Sequence, residues 1–230
     1  MVFRAIGVAL LAQRASEDDM EAQYSMGCHQ AELPDCEQGG MLLVERAATQ
    51  GHAHAMQWLG QIHEKKEEYE HAVVWYTRAA EAGLPMANHR LGCCNQSGAN
   101  GAAAPDYPAA VRWFTKGAEA GMAVSMCCLA MLLDEGKGVA APDYPAAANW
   151  YKRAAAAGPG SAEMTSTGRA TIAGPLRERA EAGSIGTAAY NLAAMYTNGR
   201  GVTRSKRRAL QCLRQAADKG HHKVGRYKWK

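Results

Sequence analysis

The residues best equipped for chemistry gather early in the chain: Cys28, His29, Cys36, His52 and His54. Zinc takes four thiolate, imidazole or carboxylate ligands, typically as two close pairs. Cys28 and Cys36 are too far apart in sequence for a standard pair, and His52 and His54, two positions apart, do not share a helix face. Both histidines also follow Gly51, in a turn where exposed polar residues are expected. The spacing therefore assigns no metal and no cofactor. His89 and Cys93 stand one helical turn apart, within reach of a base–nucleophile contact, but Cys93 adjoins the packing residue Gly92 and reads as a helix-surface position. The carboxylate pairs Asp18–Asp19 and Glu67–Glu68 read as helix-start acids favoured by the dipole. EGKGV (Glu135 to Val139) and NGRGV (Asn198 to Val202) lack the form of a phosphate loop. No catalytic residue is assigned, and the chain reads as non-enzymatic.

The bulk composition supports a packed core. Of 230 residues, 47% are hydrophobic and 21% charged, which argues against disorder. The net charge of +4 is mild, and Lys and Arg are spread out except at Arg200 to Arg208 and in the tail from Lys223. That cluster could meet an acidic peptide, RNA or a membrane surface, but reads better as a solvated helix start and a chain end, so no specific nucleic acid is expected. The cysteines number seven, an odd count with two adjacent pairs, Cys93–Cys94 and Cys127–Cys128. Reduced thiols in the cytoplasm are expected, with the secretory pathway or endoplasmic reticulum lumen as the alternative. No apolar run reaches the roughly 18 residues of a membrane span. AIGVALLA near the N-terminus could pass for a weak signal peptide, but its continuation fits a helical grammar.

That grammar is a repeat. EYEHAVVWYTRAAEAG (Glu68 to Gly83), DYPAAVRWFTKGAEAG (Asp106 to Gly121), DYPAAANWYKRAAAAG (Asp143 to Gly158) and SKRRALQCLRQAADKG (Ser205 to Gly220) align without a gap. Fainter copies close at Gly51 and Gly183. The closing glycines recur at the period of a two-helix solenoid unit. In the second helix, Ala72, Trp75, Tyr76 and Ala79 fall at i, i+3, i+4 and i+7, one apolar stripe. The spacing recurs at Ala110, Trp113, Phe114 and Gly117, and at Ala147, Trp150, Tyr151 and Ala154, and the aromatic pairs are expected in the core. Asp106 and Asp143 precede Pro108 and Pro145 as helix caps. Each closing Gly precedes a first helix, in which a small residue (Ala55, Ala87, Ser125, Ala188) is followed four positions later by Leu and then by Gly or Ala.

These motifs closely resemble the Sel-one-like repeat family, a relative of the tetratricopeptide repeats. The carriers are DEGKGV followed by DYPAAANWYKRAAAAG, and NLAAMYTNGRGV followed by SKRRALQCLRQAADKG. The resemblance runs from about Asp18 to His222. It implies an all-α fold, a right-handed α-solenoid superhelix of antiparallel helix pairs. It also implies a protein that binds and organises other proteins, for example in larger complexes.

The expected organisation is one repeat domain. Residues 1–18 form a capping half-unit, 19–158 a degenerate first repeat and three full ones, 159–183 a shortened repeat, 184–220 a full one, and 221–230 a truncated basic tail. A kink is expected near Pro159 to Gly174. A partner protein or peptide is expected on the concave face, which stacked first helices line. The exposed, variable positions there are expected two and six beyond each small residue: Gln57 and Gln61, His89 and Cys93, Cys127 and Met131, Tyr190 and Ala194. Of these, Gln57, Gln61, His89 and Tyr190 are the chosen partner contacts. Two other readings stay open: a metal-binding or enzymatic member of the fold, and a basic adaptor for acidic partners.

Overall fold

A computed structural model describes residues 15, 19–31, 37–99, 101, 104–157 and 174–221. The expected capping half-unit (save residue 15), Cys36, the expected kink at 159–173 and the tail beyond residue 221 lie outside the described residues. Within them the chain is all-α, with ten helices and no strand. They are α1 (Met20–Ala31), α2 (Glu37–Thr49), α3 (Ala53–Lys65), α4 (Tyr69–Glu81), α5 (Pro85–Ser97), α6 (Tyr107–Glu119), α7 (Ala123–Glu135), α8 (Tyr144–Ala156), α9 (Gly174–Asn198) and α10 (Lys206–Asp218).

The chain divides into two compact units, residues 1–94 with 98–103, and 95–97 with 104–230. In the first, α1 packs on α2, α2 on α3 and α3 on α4. In the second, α6 packs on α7, α7 on α8, α8 on α9 and α9 on α10, with α9 also reaching α7. This pattern of neighbouring pairs is that of an all-α helical-repeat solenoid.

The helices start where the sequence says. The side chains of Asp106 and Asp143 accept the N–H groups of Ala109 at 2.8 Å and Ala146 at 2.9 Å. Ser205 accepts that of Arg208 at 3.4 Å. One backbone bond recurs in four repeats: the residue before the second helix donates its N–H to a carbonyl near the end of the first. The pairs are Glu68 to His63, Asp106 to Asn95, Asp143 to Leu133 and Ser205 to Tyr196, at 2.8–3.0 Å. This bond fixes the register within each helix pair whatever the loop length.

The core forms from the small residues. Ala72, Ala110, Ala147 and Ala209 are fully buried, as are Ala55, Ala87, Ser125 and Ala188. Tyr76, Phe114, Tyr151 and Leu213 are buried beside them. Gly60 lets Tyr76 in: a Cβ at Gly60 would stand 2.5 Å from the Tyr76 ring. The tryptophans correct the sequence reading. Trp75, Trp113 and Trp150 are only half-buried. Each lies under a cation three residues on: Arg78 at 5.0 Å, Lys116 at 4.3 Å and Arg153 at 4.1 Å from the ring centre. They line the edge of the apolar stripe, where the rings keep one face for a guanidinium or ammonium group.

Gly183 is a second correction. It closes no unit, because α9 runs through it without a break. Its φ is not positive, and the buried residues Ile185, Ala188, Ala189 and Leu192 continue the helical stripe beyond it.

Candidate functional site

The first-helix positions separate into surface and core. Gln57 and Gln61 on α3, His89 and Cys93 on α5, Met131 on α7, and Tyr190 and Ala194 on α9 are half-buried. Cys127 does not belong with them. It is buried, 4% exposed, because α7 is enclosed by α6, α8 and α9. Burial pushes its thiol up to about 12. None of the six described cysteines forms a disulfide.

His89 and Cys93 do meet, with Nε2 and Sγ 3.5 Å apart. Their electrostatics oppose catalysis. Desolvation and the neighbouring Arg90 lower His89 to about 4, while burial raises the Cys93 thiol. A neutral imidazole beside a protonated thiol is the reverse of an activated nucleophile pair. The shift has a consequence for stability. An unfolded histidine titrates near 6.5, so between about pH 6.5 and 4 the unfolded chain takes up a proton that the folded chain refuses. His89 therefore stabilises the fold fully above pH 6.5 and loses that contribution on acidification through this window, by about 2 kcal/mol at pH 4.5. In His89→Gln, the stability difference between pH 7 and pH 4.5, measured by urea unfolding, should shrink by about that amount.

Among the described residues of the early histidine and cysteine cluster, Cys28, His29, His52 and His54, no three ligand atoms come together. His52 is also not exposed as expected, being 8% accessible. It caps α3: its Nδ1 accepts the Ala55 N–H at 3.1 Å, and its Nε2 lies 2.9 Å from Glu21 Oε2. The Tyr24 ring packs 4.6 Å from it. His54 is exposed, as expected. Asp19 behaves as a helix-start acid, accepting the N–H groups of Glu21 and Ala22. Glu68 does not cap α4 through its side chain.

The second unit holds a cavity of about 220 Å³. Met131 and Ala194, two of the expected face positions, line it together with Asp134, Tyr151, Asn191 and Arg200. The Arg200 guanidinium meets Asp134 at 2.7 Å and lies 4.6 Å over the Tyr144 ring. Burial raises the Asp134 carboxyl, against the pull of Arg200. The Asn191 amide donates to the Tyr151 hydroxyl at 3.1 Å. Asp134, Asn191 and Arg200 were not foreseen in the sequence. The signal for Arg200 was there: Lys137, its counterpart in EGKGV, lies 5.4 Å over the Tyr107 ring in the same way. Tyr190 does not line this cavity. Its ring stacks on His221 at 4.6 Å and packs against Ala155, Ala189 and Ala216. Within the basic cluster, Arg200 and Arg208 lie over Tyr144 and Tyr196.

Among the described residues, no helix is long and apolar enough to cross a membrane. Known proteins give the arrangement its context. A crystal structure of a Sel1 repeat protein from Oxalobacter formigenes is similar with a TM-score of 0.70 and 24% identity, over 95% of this chain and 57% of that one. The protective antigen c5321 of uropathogenic Escherichia coli, which displays an SLR fold, is similar with a TM-score of 0.60 and 28% identity, over 93% of this chain and 49% of that one. A Sel1 repeat protein from Klebsiella pneumoniae subsp. pneumoniae gives 0.50 and 21%, over 95% and 96%. The chain thus spans about half the length of the first two relatives. No curated protein matches it. The Sel1 repeat matches at residues 53–84, 85–122, 123–159 and 186–221, more than half of the sequence. With four matched repeats over most of its length, the chain belongs to the Sel1 repeat family.

Proposed function

We propose that this chain is a non-enzymatic interaction scaffold that takes a partner protein or peptide on the face carried by its first helices. One observation carries the reading. The core positions keep their type from repeat to repeat, Ala72, Ala110, Ala147 and Ala209 all being buried. On the first helices the small residues Ala55, Ala87, Ser125 and Ala188 are buried likewise, while the positions two beyond them change: Gln57, His89 and Tyr190 are half-buried, and Cys127 is buried. A surface whose residue types vary over an unvarying core suits recognition of one particular partner. In the first unit Gln57, Gln61 and His89 offer amides and a neutral imidazole. In the second, the cavity between Met131, Asn191 and Ala194 is of a size to take a side chain.

The test is capture of partners from extract by the purified chain, at low and moderate salt. Substituting Gln57, His89 and Tyr190 together by Ala is expected to lower the affinity of a captured partner about tenfold or more, with the helical circular dichroism unchanged. Undiminished affinity would remove the first-helix face as the site. Retention of acidic material alone, lost on adding salt, would instead favour the basic segment from Arg200 to Arg208.

A further inference from the structure

We propose that His63, Glu68 and His71 form a surface site for a divalent transition-metal ion of the zinc class, built on the turn between α3 and α4. One ligand atom from each of the three lies within 4.8 Å of the others. His63 Nδ1 and Glu68 Oε2 are 2.6 Å apart, and the two imidazole rings stack at 5.4 Å and 27°.

Comparison with the other repeats shows how the group arises. His63 supplies the carbonyl of the recurring backbone bond, the place taken by Asn95, Leu133 and Tyr196 elsewhere. Glu68 stands where Asp106 and Asp143 cap their helices, and His71 where Ala109 and Ala146 receive the cap. Here the acid makes no side-chain cap bond and turns to His63 instead. The glycine-rich loop is also missing. The chain crosses in residues 66–68, with Glu67 in the left-handed region at φ 62°, the one described residue other than glycine with positive φ. The short crossing lays the last turn of α3 against the first turn of α4, and a donor stands at each of the three positions it brings together.

Two imidazoles and one carboxylate suit Zn²⁺, Ni²⁺, Cu²⁺ or Co²⁺, and not the oxygen-seeking Ca²⁺ or Mg²⁺. Ligation at about 2.0–2.2 Å requires the donor atoms to draw closer than 4.8 Å. His63 is half-buried, and Glu68 and His71 are exposed, so their side chains can turn to do so. Three protein ligands leave a coordination position for water or for a donor from another protein.

The full chain, stripped of metal, should be titrated with Zn²⁺ by calorimetry in a buffer that does not bind metal. One ion per chain is expected. His63→Ala with His71→Ala should weaken binding at least about a hundredfold, and Glu68→Gln about tenfold. Circular dichroism checks the fold, and if the double variant loses helicity, Glu68→Gln decides, since no cap bond is lost there. Co²⁺ provides a second reading: its complex should show visible bands without a sulfur-to-metal charge-transfer band, which separates this site from the cysteines. Absence of one-to-one binding, unchanged binding in the folded variants, or a thiolate band would each overturn the assignment.

Discussion

Replacing Gly138 or Gly201 by Ala is expected to destabilise the chain by about 3 kcal/mol, more than the same change at a closing glycine. Both sit in the loop between the helices of a repeat, with φ of 76° and 63°. Each loop lies on the repeat before it. A Cβ at Gly138 would stand 2.5 Å from the carbonyl carbon and oxygen of Tyr107 and 2.9 Å from the Pro108 nitrogen. At Gly201 it would strike the Tyr144 carbonyl and come within 2.6 Å of the Pro145 nitrogen. The obstacle is backbone at the start of a capped helix, so it cannot swing aside as a flexible side chain would. Gly83 is the control. It also has positive φ, 85°, but nothing lies within 4 Å of an added Cβ, so its Ala variant carries only the conformational cost of about 1 kcal/mol. The midpoints of urea unfolding of the three variants separate the two effects. A Gly201→Ala protein as stable as Gly83→Ala would show that the close approach contributes nothing to repeat stacking.

The same loops show where the sequence was legible. Their Gly-x-Gly-Val form was visible, but Arg200 was read only as part of a solvated helix start, and Lys137 was given no role. Lys137 and Arg200 instead lie over Tyr107 and Tyr144, the first residues of α6 and α8. The contact joins residues far apart in the chain, so no periodicity within one helix announces it. Helix register was readable because burial follows the 3.6-residue period, which is why the alanines at 72, 110, 147 and 209 fall in the core. Helix starts were readable at Asp106 and Asp143, which cap α6 and α8 as expected. They were not where a histidine does the work, as His52 does for α3. Gly183 misled for a complementary reason: glycine permits a helix to end but does not compel it, and the apolar stripe of α9 continues past it. For the expected partner face, the period put Gln57, Gln61, His89 and Tyr190 on the exposed side, whereas they are half-buried, and it could not see that α7 is enclosed on several sides, which buries Cys127. The His63, Glu68 and His71 group escaped because its donors come from two helices across a turn, in no standard ligand spacing.

Truncating Phe114 or Tyr151 to Ala is expected to cost about 3–5 kcal/mol, and truncating the larger Trp113 or Trp150 only about 1–2 kcal/mol. Residue size alone predicts the opposite order, and adjacency on the apolar stripe predicts none. Successive residues on a helix point about 100° apart, so a stripe centred on the second aromatic leaves the first at its margin. Phe114 is fully buried and Tyr151 is 1% exposed, with its hydroxyl engaged by Asn191. Removing either ring leaves a cavity in a core of close-fitting alanines, which cannot collapse to fill it. Trp113 and Trp150 are half-buried beneath Lys116 and Arg153. Their loss opens space that water can enter and forfeits a cation–π contact of about 0.5–1 kcal/mol. Urea unfolding of the four variants, followed by circular dichroism, gives the order directly. The two aromatics then have separate roles: the second holds the helix pair together, and the first forms the rim, where a change of residue alters the surface without unfolding the repeat. If the tryptophan variants prove the less stable pair, the rim assignment is wrong and these rings belong to the core on which repeats stack.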